Sequence, residues 1–162
     1  MTMVGLFWIT DHEVYVGSPP GADGTGLRLT DDAVQTLGTT APRTFAWWEL
    51  RAIELSDVPV RTTSRRLSVA VEGALSVAFG GMDDPPPMTV QVESASGAEE
   101  FTLYAVSASG HSETERDLSQ ALLNAFLAGD SSPGLLMAWR RRHGEGNPRS
   151  AQREALLREW IG

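Results

Sequence analysis

The sequence contains no cysteine, no lysine and no long apolar run. Without cysteine there is no disulfide framework, no thiolate metal site and no cysteine nucleophile. No stretch approaches the roughly 20 apolar residues that a membrane span requires. The absence of lysine matches the codon usage of GC-rich bacterial genomes, and we attach no chemistry to it. With 41% hydrophobic residues, the 162-residue chain can still bury the core of an ordinary domain.

A secretory signal is not visible at the start of the chain. No basic residue precedes the short apolar run at residues 4–9, and the polar residues 11–13 end that run. The lack of cysteine also fits a reducing compartment. We therefore expect a cytoplasmic protein.

Charge is distributed unevenly along the chain, whose net charge is −8. Residues 1–130 contain 18 acidic residues and 7 arginines, whereas residues 131–162 contain 3 and 6. An acidic surface repels phosphate backbones and anionic lipids at long range. We therefore expect no nucleic acid partner. Binding to a membrane surface would need a basic or amphipathic face, and only the C-terminal segment offers one.

Hydrophobic and polar residues alternate along much of the first 106 residues, which predicts β-strands. A hairpin is expected over residues 6–16, and a third strand over residues 27–30. Residues 33–37 are either a fourth strand or a turn of helix, and residues 43–55 form a strand that bends near its middle. The remaining strands are expected at residues 67–71, 75–79, 88–93 and 100–106, and the last two form a hairpin.

A helix is predicted directly after the strands. Ser112 and Glu115 have the spacing of a capping box, and Gly129 stands where a helix often ends. The apolar residues between them form one stripe, so we expect this helix to pack on the sheet.

Two shorter helices are predicted near the C-terminus. Ser132 with Pro133, and Asn147 with Pro148, each combine an N-cap residue with a proline at the first helical position. The glycines at 144 and 146 form a joint between these helices. The sequence thus predicts a β domain with its helix at residues 1–130 and a helical extension at residues 131–162.

Together these elements predict an α+β fold, mainly β, with a seven-stranded antiparallel barrel or sandwich. One helix caps it, and two short helices follow. Three features support a more specific comparison: the early strand LRLTDD at 27–32, the segment FAWWELRAI at 45–53, and the single helix after the strands. In these features residues 4–129 resemble the pleckstrin-homology-like (PH-like) superfold, particularly its small bacterial members.

Members of this superfold that bind phosphoinositides use basic residues in the loop after the first strand. The corresponding residues 11–13 include two acids, so lipid binding does not carry over. Arg61, Arg65 and Arg66 form the nearest substitute. Their loop either holds an anion or is simply solvated.

No combination of residues predicts catalysis, a metal site or a cofactor. His12, His111 and His143 lack the spacing of metal ligands. Ser112, beside His111, is explained as a helix cap rather than as a nucleophile. The glycine-rich loop at 17–26 precedes a strand, whereas a phosphate-binding loop precedes a helix. We therefore expect a protein that is not an enzyme and that has no cofactor.

Tryptophan and arginine occur together in the C-terminal extension. Trp139 precedes Arg140, Arg141 and Arg142, and Trp160 follows two leucines in the last helix. In one interpretation both helices dock on the β domain through their apolar residues, and the arginines face water or the acidic body. In the other, these residues contact a partner, because tryptophan and arginine are enriched at interface centres.

Two functional hypotheses follow. The first is a non-catalytic protein-interaction module whose partner is another protein or a second copy of the chain. It rests on analogy between folds. The second is a small-molecule-binding domain, or an unrecognised hydrolase, with a pocket between the capping helix and the aromatic segment 45–55. Trp47, Trp48 and Tyr104 would lie near that pocket.

Overall fold

A computed structural model describes residues 2–20, 25–38, 41–61, 86–106 and 110–162. In these ranges nine strands form two antiparallel sheets, of six and three strands, and three helices follow. The predicted α+β class is confirmed. The predicted count of seven strands is too low, and the described strands lie in two sheets rather than in one closed barrel. The strands predicted at 67–71 and 75–79 lie outside the described residues.

The first sheet contains six short strands that pair in chain order. They are β1 (Thr2–Val4), β2 (Phe7–Ile9), β3 (Val14–Val16), β4 (Gly26–Leu29), β5 (Ala33–Leu37) and β6 (Thr44–Ala46). The predicted hairpin at 6–16 is the β2–β3 pair. Residues 33–37 form a strand rather than a turn of helix.

The sequence pattern does not predict strand β1, because the strand has only three residues before the turn at Gly5. Gly5 has a φ of +57°, and a Cβ there would lie 2.4 Å from the Ser119 hydroxyl oxygen. The next amide, that of Leu6, donates a hydrogen bond to the same hydroxyl at 3.1 Å. Glycine is therefore required both by the backbone conformation and by the close approach of the turn to the helix that carries Ser119.

The second sheet contains β7 (Leu50–Ser56), β8 (Pro87–Ser94) and β9 (Gly97–Tyr104) in that order. Its β8–β9 hairpin confirms the predicted hairpin, but β9 begins before residue 100 and ends at Tyr104 rather than at 106. The turn is shorter than expected because Ser94 already pairs with Gly97. The prediction of one bent strand at 43–55 is wrong. This segment consists of β6, a 3₁₀ turn at Trp47–Glu49 and β7, and the chain passes through it from the first sheet to the second.

The helices are α1 (Glu113–Ala128), α2 (Pro133–His143) and α3 (Ser150–Ile161). The capping box is confirmed, since the Glu115 amide donates to the Ser112 hydroxyl at 3.0 Å. Gly129 ends α1 in the left-handed conformation. Helix α3 begins later than predicted, because the Asn147 side chain does not cap it and instead accepts a hydrogen bond from the Met3 amide at 2.9 Å.

One hydrophobic cluster joins both sheets and all three helices. Helix α1 packs on β7 and on the 3₁₀ turn, α2 on β2 and β3, and α3 on α1 and β1. The cluster includes Phe7, Ile53, Val90, Leu122, Phe126, Leu136, Trp139, Leu157 and Trp160. A division at residue 130 stays a prediction, although residues on both sides of it share this cluster. Among the described residues, no helix has the length and apolarity needed to cross a membrane.

Candidate functional site

Adjacent tryptophans in the 3₁₀ turn have opposite environments. The Trp47 indole donates a hydrogen bond to the Thr30 carbonyl at 2.8 Å, and its ring packs edge-on against Phe126 of α1 at 5.8 Å. Trp48, the next residue, is 85% exposed. Trp47 therefore anchors the turn to the core, while Trp48 projects from it into solvent.

Backbone contacts fix the conformation of this turn. The Glu49 carboxylate accepts a hydrogen bond from the Ala46 amide at 2.8 Å, and the Trp47 amide donates to the Asp32 carbonyl at 3.3 Å. The Leu50 amide donates back to the Trp47 carbonyl. Because the turn is held at both ends and by its first side chain, Trp48 leaves the surface from a defined position.

A groove of about 490 Å³ lies beside Trp48, where β6 and the 3₁₀ turn meet the β8–β9 turn. We call it the Trp48 groove. It is lined by Arg43, Thr44, Phe45, Trp48, Glu49, Arg51, Ser94, Ala95 and Ser96. Its volume falls within the range of small-ligand and side-chain pockets.

The charged side chains of the Trp48 groove differ in their partners. The Arg43 guanidinium lies 4.9 Å from the centre of the Phe45 ring and forms an ion pair with Glu99. Arg51 is exposed, and no ion pair joins it to another described residue. The groove therefore offers one exposed indole and one guanidinium whose donors are available to a partner.

A smaller groove of about 360 Å³ separates β7 from α1. The Gln120 side chain crosses it, donating to the Ile53 carbonyl at 2.8 Å and accepting from the Leu55 amide at 2.9 Å. This is the place where the sequence predicted a pocket. None of Trp47, Trp48 and Tyr104 lines it, and the Gln120 amide at its centre is already bonded to the β7 backbone.

The C-terminal tryptophans lie in the core. Trp139 is 9% exposed and Trp160 is 3% exposed, and their rings meet edge-on with centroids 5.6 Å apart. The structure thus shows the docked arrangement of the two that the sequence left open. As contacts with a partner, Trp139 and Trp160 stay a prediction.

The three arginines after Trp139 point in different directions. Arg140 is 5% exposed and lies 3.5 Å from the Asp11 carboxylate and 3.6 Å from that of Glu145. Arg141 is exposed and donates to the Asp11 carbonyl at 2.7 Å, and Arg142 is exposed as well. Only Arg141 and Arg142 could therefore meet a partner without rearrangement of α2.

A buried polar cluster, which the sequence did not indicate, fastens α3 to α1. Glu115 is fully buried and forms an ion pair with Arg153 of α3, which also donates to the Pro148 carbonyl at 2.8 Å. His111 lies beside this pair and is 1% exposed. Burial, reinforced by the charges of Arg153 and Arg61 and opposed by that of Glu115, lowers the pKa of His111 to about 4.

Arg61 contacts the same segment through its backbone and side chain. Its amide donates to the His111 carbonyl at 2.8 Å, and its Nε donates to the Gly110 carbonyl at 2.9 Å. One donor of its guanidinium is therefore used within the chain. Arg65 and Arg66 lie outside the described residues, so the anion contact stays a prediction.

A second polar cluster lies on the first sheet. The Tyr15 hydroxyl donates to one carboxylate oxygen of Glu13 at 2.6 Å, and Arg28 pairs with the other at 2.7 Å. The hydrogen bond from Tyr15, with the nearby Arg28 charge, lowers the pKa of Glu13, while burial chiefly raises the pKa of Tyr15. Each polar group has a partner, so the cluster is explained as a stabilising network of the sheet.

Two further observations concern chemistry. Among the described residues, no three histidine or acidic side chains are placed so that they could hold a metal ion. The Ser112 hydroxyl accepts from the Glu115 amide and donates to Glu154 at 3.1 Å, which agrees with its role as a cap.

Comparison of the chain with known protein families, with curated proteins and with solved structures gave no match.

Proposed function

We propose that this protein is a non-catalytic protein-interaction module and that Trp48 is the centre of its contact surface. The exposure of Trp48 carries the proposal. Tryptophan is the residue most enriched at the energetic centres of interfaces, where its large surface leaves water on binding. The Trp48 indole exposes a large apolar surface to water in the free protein. Burial of that surface against a partner would be favourable.

The fixed conformation of the turn supports the same proposal. Trp47 and the bonds of Glu49 hold the turn before any partner arrives. A preorganised side chain loses less conformational entropy on binding than one on a mobile loop. Arg51 adds hydrogen-bond donors at the edge of the groove. Arginine, like tryptophan, is enriched at interface centres.

Site-specific photo-crosslinking in the native host cell tests this function. A benzoylphenylalanine at position 95, which is exposed and lines the Trp48 groove while leaving Trp48 in place, is expected to give a discrete covalent adduct with one protein. The matched control is the same residue at Tyr104, which is an exposed aromatic position on β9 outside the Trp48 groove. An adduct of twice the mass of the chain would identify a second copy as the partner.

Competition makes the result specific. Excess untagged protein should suppress the adduct, whereas excess Trp48→Ala protein should not, because removal of an interface-centre tryptophan costs at least about 2 kcal/mol of binding. If positions 95 and 104 give the same adducts, or if Trp48→Ala competes as well as the unaltered chain, the proposal is wrong.

The small-molecule alternative has one favourable observation, namely the two grooves that flank residues 45–55. The Trp48 groove combines an aromatic wall with polar groups, as ligand sites do. Membership of the PH-like superfold is also a proposal. It is supported by two antiparallel sheets followed by a helix, whereas the division into six and three strands departs from the expected seven.

A further inference from the structure

A groove of about 490 Å³ lies between α2 and α3, on a different part of the molecule from Trp48. We call it the interhelix groove. It is lined by Trp139, His143, Gly144, Glu145, Gly146, Asn147, Pro148, Gln152, Ala155, Leu156 and Glu159. It shares no lining residue with the Trp48 groove.

The floor of the interhelix groove is apolar and firmly supported. Trp139 is held between the Trp160 ring at 5.6 Å and the His143 ring, which stacks on it at 4.9 Å. Leu156 and Pro148, both half-buried, complete this floor. The volume leaves ample room for one large apolar side chain, and the rigid aromatic wall needs no reorganisation to receive it.

The rim of the interhelix groove carries two acidic side chains. Glu145 and Glu159 are exposed, and none of the arginines that the structure describes lines the groove. Glu145 lies 3.6 Å from Arg140, whose charge it shares with Asp11, whereas no ion pair joins Glu159 to another described residue. The Glu159 carboxylate is therefore available to a cation from outside.

None of the six arginines of the C-terminal segment lines this groove. Arg140 and Arg153 are buried and paired with acidic residues, and Arg158 lies 3.7 Å from Glu154. The other three, at positions 141, 142 and 149, are exposed outside the groove. The net charge of the whole chain is −8, so its long-range field attracts cations. An apolar floor, an acidic rim and an acidic body together complement a basic segment that carries an apolar side chain.

We propose that the interhelix groove binds a basic peptide segment of another protein, with one apolar side chain over Trp139 and Leu156 and an arginine or lysine at Glu159. Such a segment matches the general mode in which a peptide places its apolar residues in a hydrophobic groove. The charged contact sets the preference for basic sequences, and the apolar contact supplies most of the buried surface.

Titration of the full-length, isotope-labelled protein with defined peptides tests this proposal by NMR. The probe is an acetylated and amidated hexapeptide in which arginine alternates with leucine or tryptophan. The control peptide has glutamate in place of each arginine. We expect the basic peptide to shift the indole signal of Trp139 at low ionic strength and the acidic peptide to leave it unchanged. Added salt should weaken the binding, since both charges are exposed.

Two variants assign the contact to its residues. Glu159→Gln is expected to lower the affinity for the basic peptide about fivefold, which is the upper end of the contribution of an exposed charge pair. Glu100→Gln, which removes an exposed acid on β9 away from the groove, is the matched control and should change binding far less. Both substitutions are at exposed positions, so the fold is expected to tolerate them.

The inference is overturned if the acidic peptide binds as well as the basic one, if both variants weaken binding equally, or if the shifts centre on the Trp48 groove. Trp48→Ala keeps the two proposals separate. It should abolish the crosslinked adduct and leave the peptide titration unchanged.

Discussion

Tryptophans stand in two contrasting regions of this chain, namely the turn between the sheets and the C-terminal helices. Trp48 is 85% exposed, although Phe45, Trp47 and Leu50 lie near it in the sequence, whereas Trp139 is 9% exposed although three arginines follow it. Neighbouring charge is therefore a poor guide to exposure. The direction in which the backbone orients each side chain determines whether that side chain is buried.

Helix periodicity explains the C-terminal region. Leu136, Trp139 and Arg140 are separated by three and four residues, so they share one face of α2, and all three are buried. Arg140 is carried inward with Trp139 and is neutralised by Asp11 and Glu145. In the turn, by contrast, Trp47 takes the inward position, and Trp48, one residue on, faces solvent.

Removal of Trp160 should have the largest effect on stability. Trp160→Ala deletes a buried ring that packs on Trp139, and we expect it to lower the free energy of unfolding by about 3–5 kcal/mol. Trp48→Ala is the matched control and should change it by no more than about 0.5 kcal/mol. Urea denaturation followed by circular dichroism measures both. Similar losses for the two variants would erase the contrast between the regions.

The buried ion pair should come next in magnitude. Glu115→Gln leaves the buried guanidinium of Arg153 without its counter-charge, and we expect a loss of about 3 kcal/mol in the free energy of unfolding. Glu113→Gln, an exposed position in the same turn of α1, is the control. Equal stability of the two variants would show that this pair does not hold α3 in place.

Protonation of His111 in acid should lower the free energy of unfolding. Its pKa in the folded protein is about 4, below the ordinary value of 6.5, so the unfolded chain binds the proton first as the pH falls. Stability should decrease from about pH 6.5 to about pH 4, by at most about 3 kcal/mol from this group, and no further below that.

The variant His111→Gln isolates this contribution from the acidic groups that titrate in the same range. The difference in unfolding free energy between His111→Gln and the unaltered chain should change with pH only within that window. His12→Gln, at an exposed turn, controls for the loss of a histidine as such. A constant difference across the window would refute the burial of His111 as a neutral group.

A smaller effect is expected where α2 begins. Asp31 accepts a hydrogen bond from the Gly134 amide at 2.6 Å and so acts as a cap from a distant strand turn. Asp31→Ala should cost about 1 kcal/mol, and Asp32→Ala, its exposed neighbour, should cost less. Thermal unfolding in parallel would detect the difference. Equal midpoints would show that the cap contributes nothing.

Local patterns predicted much of the fold, and long-range contacts account for what they missed. The caps of α1 and the β8–β9 hairpin depend on residues close in sequence, and both were found. The start of α3 was misplaced because Asn147 bonds to Met3, which is 144 positions away. The sequence predicts only the capping role of Glu115, since nothing local in it indicates the contact with Arg153.

The candidate site could be predicted less well from the sequence than the fold. Residues 45–55 were expected to line a pocket, but alternation alone did not separate Trp47 from Trp48, because the 3₁₀ turn interrupts the strand there. The interhelix groove could not be anticipated either, because it depends on how α2 and α3 meet across the joint at 144–148.

Fluorine NMR of protein labelled with 5-fluorotryptophan tests the central contrast most directly. Each of the five tryptophans gives one signal, and Trp→Phe variants assign them. A soluble paramagnetic agent should broaden the Trp48 signal most strongly and leave those of Trp139 and Trp160 sharp. Broadening of Trp139 and Trp160 to the same degree as Trp48, or protection of Trp48, would contradict the account.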